Sequence, residues 1–216
     1  MNNLKDGVGT MVYKNGDKYE GEWQEDLRSG LGIYWVFEKG RFRVRYNGSW
    51  LGDLPHGEGV LFADNGDVYQ GQFHNGMRHG RGKQVYGGAK EGEGSDVYEG
   101  DWLNDKRHGR GTLTKGNGDV YEGLWAEDMK EGQGTAYYIA DNMRYDGVWV
   151  RDNARCGEYS EIQDMGPGAP TALPTLELAH PVAVVHGAMN EAHRLINEVA
   201  GGNDGGDLVF EVIEGR

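Results

Sequence analysis

The sequence predicts an all-β protein, an elongated single-layer antiparallel β-meander with one hairpin per ~23 residues, followed by a C-terminal extended linker and a short helix. Three observations support this fold. A Tyr-x-Gly-x-Trp/Phe pattern recurs six times along the 216 residues. Hydrophobic residues make up only 37% of the chain, against 38 glycines, which is too little apolar material for a thick globular core. Asn-Gly-Asp, a typical turn sequence, separates several of the copies.

The repeat is defined by a tyrosine, a glycine two residues later and a tryptophan or phenylalanine four residues later. Adjacent tyrosines lie 27, 23, 29, 23 and 24 residues apart, which is typical of a stacked array. In five copies a Gly-x-Gly pair begins seven residues after the large aromatic, and in the sixth Cys156 takes that place. Gly7-Val8-Gly9 matches the second half of a further repeat. The repeated rings are Tyr19, Trp23, Tyr46, Trp50, Tyr69, Phe73, Tyr98, Trp102, Tyr121, Trp125, Tyr145 and Trp149.

Each repeat predicts a hairpin. In Tyr98-Glu99-Gly100-Asp101-Trp102 the rings and the glycine alternate with acids, so a strand places them on one face and the acids on the other. Polar turn residues come next, and a second strand begins near Gly109. Asn-Gly-Asp at 15–17, 65–67 and 117–119 predicts two-residue hairpin turns that join successive repeats.

The glycines predict close packing within the sheet. Glycine weakens a strand, so its repetition indicates that a neighbouring group must come close. We expect Tyr and Trp rings to lie over bare glycine backbone on adjacent strands, which would make a second layer unnecessary. An isolated repeat should be unfolded, because two buried rings do not offset the conformational entropy of ordering the whole hairpin.

Composition limits the function classes. The formal net charge of -13 opposes nucleic-acid binding and disfavours anionic lipid. The chain has no apolar run long enough to span a membrane and no signal-peptide pattern at its start. A single cysteine excludes an internal disulfide framework. These features predict a soluble protein of the cytoplasm.

The motif resembles a known repeat family. A Tyr-Glu-Gly-x-Trp strand, a polar turn and then His-Gly-x-Gly, on a period of about 23 residues, is similar to the MORN (membrane occupation and recognition nexus) repeat, from about residue 6 to 157. The resemblance implies an elongated antiparallel sheet without enzymatic activity that acts as a scaffold. A basic insertion, GRFRVRY at 40–46, and the closing Trp149-Val150 and Ala154-Arg155-Cys156-Gly157 resemble a branch associated with motile cilia, flagella and sperm.

Four segments are predicted. Residues 1–160 form the repeat array, with about six repeats and an N-terminal half repeat. Residues 161–181 contain four prolines in 166–181 and form an extended linker. Residues 182–200 form an amphipathic helix, and 201–216 form a Gly-rich segment with a possible short strand, DLVFEVI at 207–213. The apolar stripe of the helix consists of Val182, Val185, Met189, Ala192, Ile196 and Val199.

No catalytic, cofactor-binding or metal-binding residue is predicted. His56, His79 and His108 share one position of the repeat, but equivalent residues of neighbouring repeats should lie ~10 Å apart, too far to share a metal. We expect them to stabilise turns. No phosphate-binding glycine motif occurs. Cys156 occupies a glycine position and is interpreted as a small packing residue.

Two pairs of acidic residues are also interpreted without a catalytic role. The carboxylates of Glu20 and Glu22, and those of Glu99 and Asp101, flank repeated glycines and should form a solvated acidic face. General acid-base chemistry would require one pair to differ from its copies. None does in the sequence.

Three features are candidates for partner binding. The first is the face formed by the twelve rings, which either grips an extended or helical partner, forms only the core, or does both. The second is a basic patch, Arg41, Arg43 and Arg45, which alternate with apolar residues and should share one strand face; a solvated strand is the alternative. The third is the tail, whose helix stripe packs either on the array or on another protein, and whose DLVFEVI segment could add a strand to a sheet edge.

The leading hypothesis is a non-catalytic protein-protein interaction scaffold within a larger complex, structural in the axoneme of motile cilia or flagella. Its partners would be other axonemal or cytoskeletal proteins, bound through extended or helical segments. The alternative is a phosphoinositide-binding module at membranes, and an enzyme is the least supported class.

Overall fold

A computed structural model describes residues 4–87 and 94–162. Their regular structure is entirely β, in thirteen antiparallel strands whose order in one open sheet is their order in the chain. The predicted all-β antiparallel meander is thus confirmed. The described residues contain no helix that could span a membrane. The predicted linker beyond residue 162, the tail helix and the segment 201–216 lie outside the described residues.

The chain divides into two compact units at residues 55 and 56. The first, described over residues 4–55, holds β1 (Gly7–Val12), β2 (Lys18–Gln24), β3 (Leu27–Glu38) and β4 (Arg41–Leu51). The second holds β5 (Leu54–Phe62, whose first two residues precede the division), β6 (Val68–His74), β7 (Met77–Val85), β8 (Val97–Leu103), β9 (Lys106–Thr114), β10 (Val120–Ala126), β11 (Met129–Tyr138), β12 (Met143–Val150) and β13 (Asn153–Glu161).

A row of glycines crosses the strands, one glycine from each. In the first unit the register pairs Gly9 with Gly21, Gly21 with Gly32, and Gly32 with Gly48. In the second unit the row continues through Gly59, Gly71, Gly82, Gly100, Gly111, Gly123, Gly134, Gly147 and Gly157. Because both members of each cross-strand pair lack a side chain, the sheet is bare along this line. We call it the glycine row.

The tyrosine of each repeat folds over the glycine row. Tyr98 places its hydroxyl above Gly111, where a Cβ would overlap the phenol, and donates a hydrogen bond to the carbonyl oxygen of Asp101 at 3.0 Å. Burial of the phenol raises the pKa of Tyr98. The corresponding tyrosines at 19, 46, 69 and 121 make the same bond to the residue three positions later, at 2.9 to 3.1 Å. The predicted packing of rings on glycine backbone is therefore present.

The tryptophan of each repeat reaches the row from the next strand. Trp125 donates its indole N–H to the carbonyl oxygen of Gly111 at 3.1 Å, which satisfies the one polar atom of a ring that is 3% exposed. Four further tryptophans bond a row glycine in the same way: Trp23 to Gly9, Trp50 to Gly32, Trp102 to Gly82 and Trp149 to Gly134. Each of these five tryptophans thus attaches its hairpin to the preceding strand pair.

The turns differ from the prediction. The link at Tyr13–Asp17 is a three-residue loop, closed by hydrogen bonds from Tyr13 N to Asp17 O at 2.8 Å and from Gly16 N to Tyr13 O at 2.9 Å. In this link Gly16 alone has a positive φ, +89°, which fits a three-residue turn ending in a left-handed glycine rather than a two-residue turn. The two-residue turn with two positive φ values lies within the repeat, as at Glu25 and Asp26 (φ 49° and 69°).

Replacing Gly111 with alanine should destabilise the sheet by about 1–3 kcal/mol, because the added Cβ overlaps the Tyr98 ring and neither the ring nor the backbone can move away freely. Urea unfolding of the full chain measures the change. The matched control is Arg110→Ala, next to Gly111 on the opposite face, which should lie within about 0.5 kcal/mol of the parent. Equal losses in the two variants would contradict ring packing on glycine as the cause.

Candidate functional site

The twelve rings that the sequence proposes for partner binding are buried. Their exposed fractions lie between 0 and 6%. Tyr98 meets Trp102 of its own repeat edge-on at 5.2 Å and meets Trp125 of the next repeat edge-on at 5.3 Å, and this alternation continues as a ladder of rings. The rings therefore act as the core. Direct binding of a partner to them stays a prediction, and little of their surface is left for it.

A cation from the preceding repeat covers each tryptophan. The guanidinium carbon of Arg107 lies 4.3 Å from the ring centroid of Trp125. Asp128, in the turn after that tryptophan, holds the arginine: its carboxylate accepts the backbone N–H of Arg107 at 2.9 Å and the side-chain Nε–H at 3.1 Å, and its carbonyl oxygen accepts from Nη2 at 2.6 Å. Asp128 has a left-handed backbone (φ 68°), which aims its carboxylate back at the earlier repeat.

This Asp–cation–Trp latch occurs five times within the two units. The sets are Lys5, Trp23 and Asp26; Arg28, Trp50 and Asp53; Arg78, Trp102 and Asp105; Arg107, Trp125 and Asp128; and Lys130, Trp149 and Asp152. At the equivalent positions of the third repeat the sequence has Pro55, Phe73 and Gly76, so the three members are replaced together. This joint replacement indicates that the three residue types depend on one another.

The face opposite the rings carries a trough of about 600 Å³ in the second unit. Its floor is the part of the glycine row formed by Gly111, Gly123, Gly134 and Gly147. Because neighbouring residues of a strand point to opposite faces, the residues on either side of each glycine stand up as the two walls. The walls are roughly 7 Å apart, two residue steps along a strand. We call this feature the glycine trough.

The two walls differ in chemistry. One is polar and partly acidic; the register aligns Thr112 with Glu122, Glu122 with Thr135, and Thr135 with Asp146. The Thr135 hydroxyl donates to Asp146 at 2.7 Å. The other wall contains Arg110, Leu124 and Gln133, and Leu124 is 38% exposed. The trough therefore offers hydrogen-bond donors, acceptors and one apolar contact along a smooth backbone floor.

Glu122 is the distinctive group of the glycine trough. Burial of its carboxyl raises the pKa of Glu122. Its counterpart in the preceding repeat, Glu99, pairs with Lys83 at 3.6 Å, whereas Glu122 has no hydrogen-bond or ion-pair partner among the described side chains. A half-buried carboxylate without a partner costs stability, which is typical of a group kept for binding.

The predicted acidic face is more structured than the sequence suggests. Glu20 pairs with Lys18 at 2.7 Å, and the carboxylate of Glu22 accepts the backbone N–H of Leu31 at 2.8 Å. Asp101 likewise accepts the backbone N–H of Arg110 at 3.0 Å. These bonds cap the Gly-x-Gly segment of the repeat, so the acids have a local structural role as well as solvent contact.

Comparison with known proteins identifies the repeat. The sequence model of the MORN repeat matches residues 1–18, 19–36, 46–68, 69–88, 98–120 and 121–140, which together are more than half of the chain. The chain belongs to the MORN repeat family. MORN repeats are generally protein- or membrane-interaction modules, and the family is typically non-enzymatic. No curated protein matches the chain in a sequence comparison.

The MORN matches and the Tyr-x-Gly-x-Trp/Phe motif cover slightly different parts of the chain. The matches include the opening half repeat, before Tyr19, and omit the repeat that begins at Tyr145. The structure nevertheless gives that frame the geometry of the others, since the rings of Tyr145 and Trp149 meet edge-on at 5.4 Å. The repeat geometry therefore extends into β12 and β13.

A β-bulge lies within the basic patch of the MORN array. β4 has one extra residue, Arg45, where Tyr46 pairs with Tyr34 and Val44 pairs with Trp35. An extra residue locally interrupts the regular alternation of faces at Arg45. That the three guanidinium groups share one face stays a prediction. Binding of a partner to this basic region stays a prediction.

His74, a histidine outside the repeated position, lies beside two of the repeated histidines. His74 comes from the intervening strand, and its ring centroid lies 5.0 Å from that of His56 and 5.5 Å from that of His79. The Nδ1 atoms of His56 and His79 are buried without a protein hydrogen-bond partner, so the expected turn-stabilising bonds do not use these atoms. Across residues 4–87 and 94–162, no three or more His, Cys, Asp and Glu side chains are arranged to hold a metal ion.

Cys156 does not pack as expected. It lies on β13, the last strand of the sheet, where every residue from Asn153 to Glu161 is exposed. An exposed thiol is not part of a packed interior. The interpretation as a small packing residue is therefore wrong.

The latch at Trp125 should contribute measurably to stability. Arg107→Ala is expected to cost about 1–2 kcal/mol, since it removes a cation–π contact and charge-assisted hydrogen bonds at a position that is 19% exposed. A double-mutant cycle with Asp128→Ala, followed by urea unfolding, measures the coupling, which should be about 0.5–2 kcal/mol. Additive losses would show that arginine and aspartate act separately.

Removing the charge of Glu122 should stabilise the protein at neutral pH. The folded state raises the pKa of Glu122, so the ionised form opposes folding once the pH exceeds that pKa. Glu122→Gln should therefore have the higher thermal midpoint at pH 7, and its advantage should vanish once the pH lies well below ~4.3, the pKa of glutamate in the unfolded chain, because the carboxyl is then protonated in both states. Glu99→Gln, the matched control, loses an ion pair and should gain nothing.

Proposed function

We propose that this MORN protein is a non-catalytic interaction scaffold that holds an extended segment, or one row of side chains from a helix, of a partner protein in the glycine trough. The observation that supports the proposal is a floor of glycine backbone between two walls. The side chains of Glu122 and Arg110 on these walls have no hydrogen-bond or ion-pair partner among the described residues. The volume of about 600 Å³ is within the usual range of ligand sites. Glu122 supports it because its unpaired carboxylate can accept partner N–H groups.

Arg110 supports the proposal from the opposite wall. Its side chain forms no hydrogen bond or ion pair within the described residues, while its backbone N–H is held by Asp101. A peptide in the trough would thus meet a donor on one side and an acceptor on the other. Such paired groups fix the direction of a bound chain. Leu124 adds the apolar contact that such sites usually contain.

The ring face is the weaker docking surface. A partner on that side would meet latch cations and ring edges that are at most 6% exposed. The glycine trough requires no displacement of the core. We therefore assign the partner to the trough rather than to the twelve rings.

The axonemal assignment rests on the family resemblance alone. The branch that the basic insertion and the closing residues resemble is associated with motile cilia and flagella, and we propose the same setting here, in the cytoskeleton with axonemal or other cytoskeletal partners. Co-fractionation of the full chain with salt-extracted axonemes of ciliated cells tests this setting. A uniform cytosolic distribution would refute it without affecting the trough.

The trough hypothesis predicts a selective loss of binding. The double variant Arg110→Glu and Leu124→Glu should lose its specific partners by about tenfold or more in quantitative affinity purification from ciliated cells, because it reverses one wall charge and removes the apolar contact. Ile139→Glu is the control, since Ile139 is 47% exposed and lies outside the trough. Partner recovery that is equal for both variants would refute the trough as the binding site.

The membrane-binding alternative has less support. The net charge of -13 repels an anionic surface. Sedimentation with phosphoinositide vesicles at low salt distinguishes the two functions.

A further inference from the structure

The long β3–β4 hairpin carries a cluster of aromatic and cationic side chains in the first unit. The rings of Phe37 and Phe42 lie 5.0 Å apart, and they are 43% and 44% exposed. The ammonium group of Lys18 lies 5.0 Å from the ring centroid of Trp35 and 4.9 Å from that of Phe42. We call these four residues the hairpin cluster. The cluster forms where β3 continues beyond the end of β2. Lys18, the first residue of β2, pairs with Trp35.

Polar groups in the hairpin cluster and beside it lack protein partners among the described residues. The indole N–H of Trp35 is buried and has no hydrogen-bond partner, unlike the latch tryptophans. Lys39 and Arg41, at the tip of the same hairpin, are exposed and have no ion-pair partner among the described residues. A ligand that suits this surface must bring apolar side chains for the two phenylalanines together with carboxylates for the cations.

We propose that the hairpin cluster binds residues 207–214 of the same chain, DLVFEVIE, in an intramolecular contact. This segment lies outside the described residues. It combines five apolar residues with three acids, Asp207, Glu211 and Glu214. Residues 161–216 carry 2 basic against 9 acidic residues, so the whole tail is attracted to a hairpin tip with unpaired cations.

The length of the tail permits this contact. The chain between residues 162 and 207 can extend to ~150 Å, at roughly 3.3–3.6 Å per residue. Tethering also raises the effective concentration of the segment to about the millimolar range. A weak but complementary contact is thus occupied in cis before a second copy can compete. The proposal concerns a different surface from the glycine trough and does not depend on the proposed function.

Photo-cross-linking of the full chain tests the contact. p-Benzoylphenylalanine in place of Phe42 keeps an aromatic ring in the hairpin cluster and reacts with the groups that lie on it. We expect the main product, identified by mass spectrometry, to be an intramolecular cross-link to residues 207–214, at least fivefold more abundant than from the same probe at Ile139, which is exposed to a similar extent, 47%. A yield no higher than that of the Ile139 control would overturn the proposal.

Charge reversal supplies an independent readout. The variant Asp207→Lys, Glu211→Lys and Glu214→Lys should lower the yield from the Phe42 probe at least fivefold, and adding Lys39→Glu and Arg41→Glu should restore it. Lys39 and Arg41 are exposed, so their replacement should leave the sheet folded. Failure of the second change to restore the yield would refute charge complementarity as the basis of the contact.

Binding of a second copy or of a lipid surface to the hairpin cluster would give different results in these experiments. Cross-linked dimers instead of intramolecular products would show that a second copy covers the hairpin cluster. Sedimentation with phosphatidylserine vesicles that requires Phe37 and Phe42, and that is unchanged by the tail lysines, would show a lipid surface. Either result overturns docking of the chain's own tail.

Discussion

The structure depends on the packing of one tyrosine ring over a cross-strand pair of glycines in each repeat. A single layer of strands normally leaves large rings half in water, because no second layer covers them. Here the ring lies down on its own sheet, over positions that carry no side chain. Tyr98 is fully buried in this way, with its hydroxyl bonded to a carbonyl oxygen of its own repeat. Without the glycine pair, the sheet would have no core.

The rings and cations also explain how one hairpin is joined to the next. An isolated hairpin cannot bury its aromatic residues, so stability must come from contacts between neighbours. The Asp–cation–Trp latch supplies such a contact in addition to the strand ladder: the cation belongs to one repeat, and the tryptophan and aspartate belong to the next one. The left-handed turn at Asp128 has a physical reason in this arrangement, since it directs the carboxylate back to Arg107. Local backbone strain is thereby offset by charge-assisted hydrogen bonds.

Sequence reasoning predicted the part of the fold that rests on strict alternation and missed the places where alternation breaks. The strand placement of Tyr98, Gly100 and Trp102, and the packing of rings on glycine, result from a period of two. Arg45 breaks that period with a bulge whose position depends on how two strands twist against each other, which no local pattern reveals. The latch was not predicted either, because the cation is about twenty residues from the tryptophan and the aspartate that it contacts. A signal was available in the sequence, however: Pro55, Phe73 and Gly76 replace the three members together.

The sequence prediction for partner binding named the twelve rings, which the structure shows to be buried. The repeated residues drew attention to the rings, yet strict repetition is the property that a core requires. A binding surface gains specificity from positions that differ between copies. Beside the glycine row, the residue before the glycine is Gln70, Glu99 or Glu122 in successive repeats, and the residue after it is Gln72, Asp101 or Leu124. These positions flank the row glycines and point to the face opposite the rings, so they can vary without disturbing the core. The glycines therefore serve both faces: they admit the tyrosines on one, and on the other they form a constant floor whose walls differ from repeat to repeat.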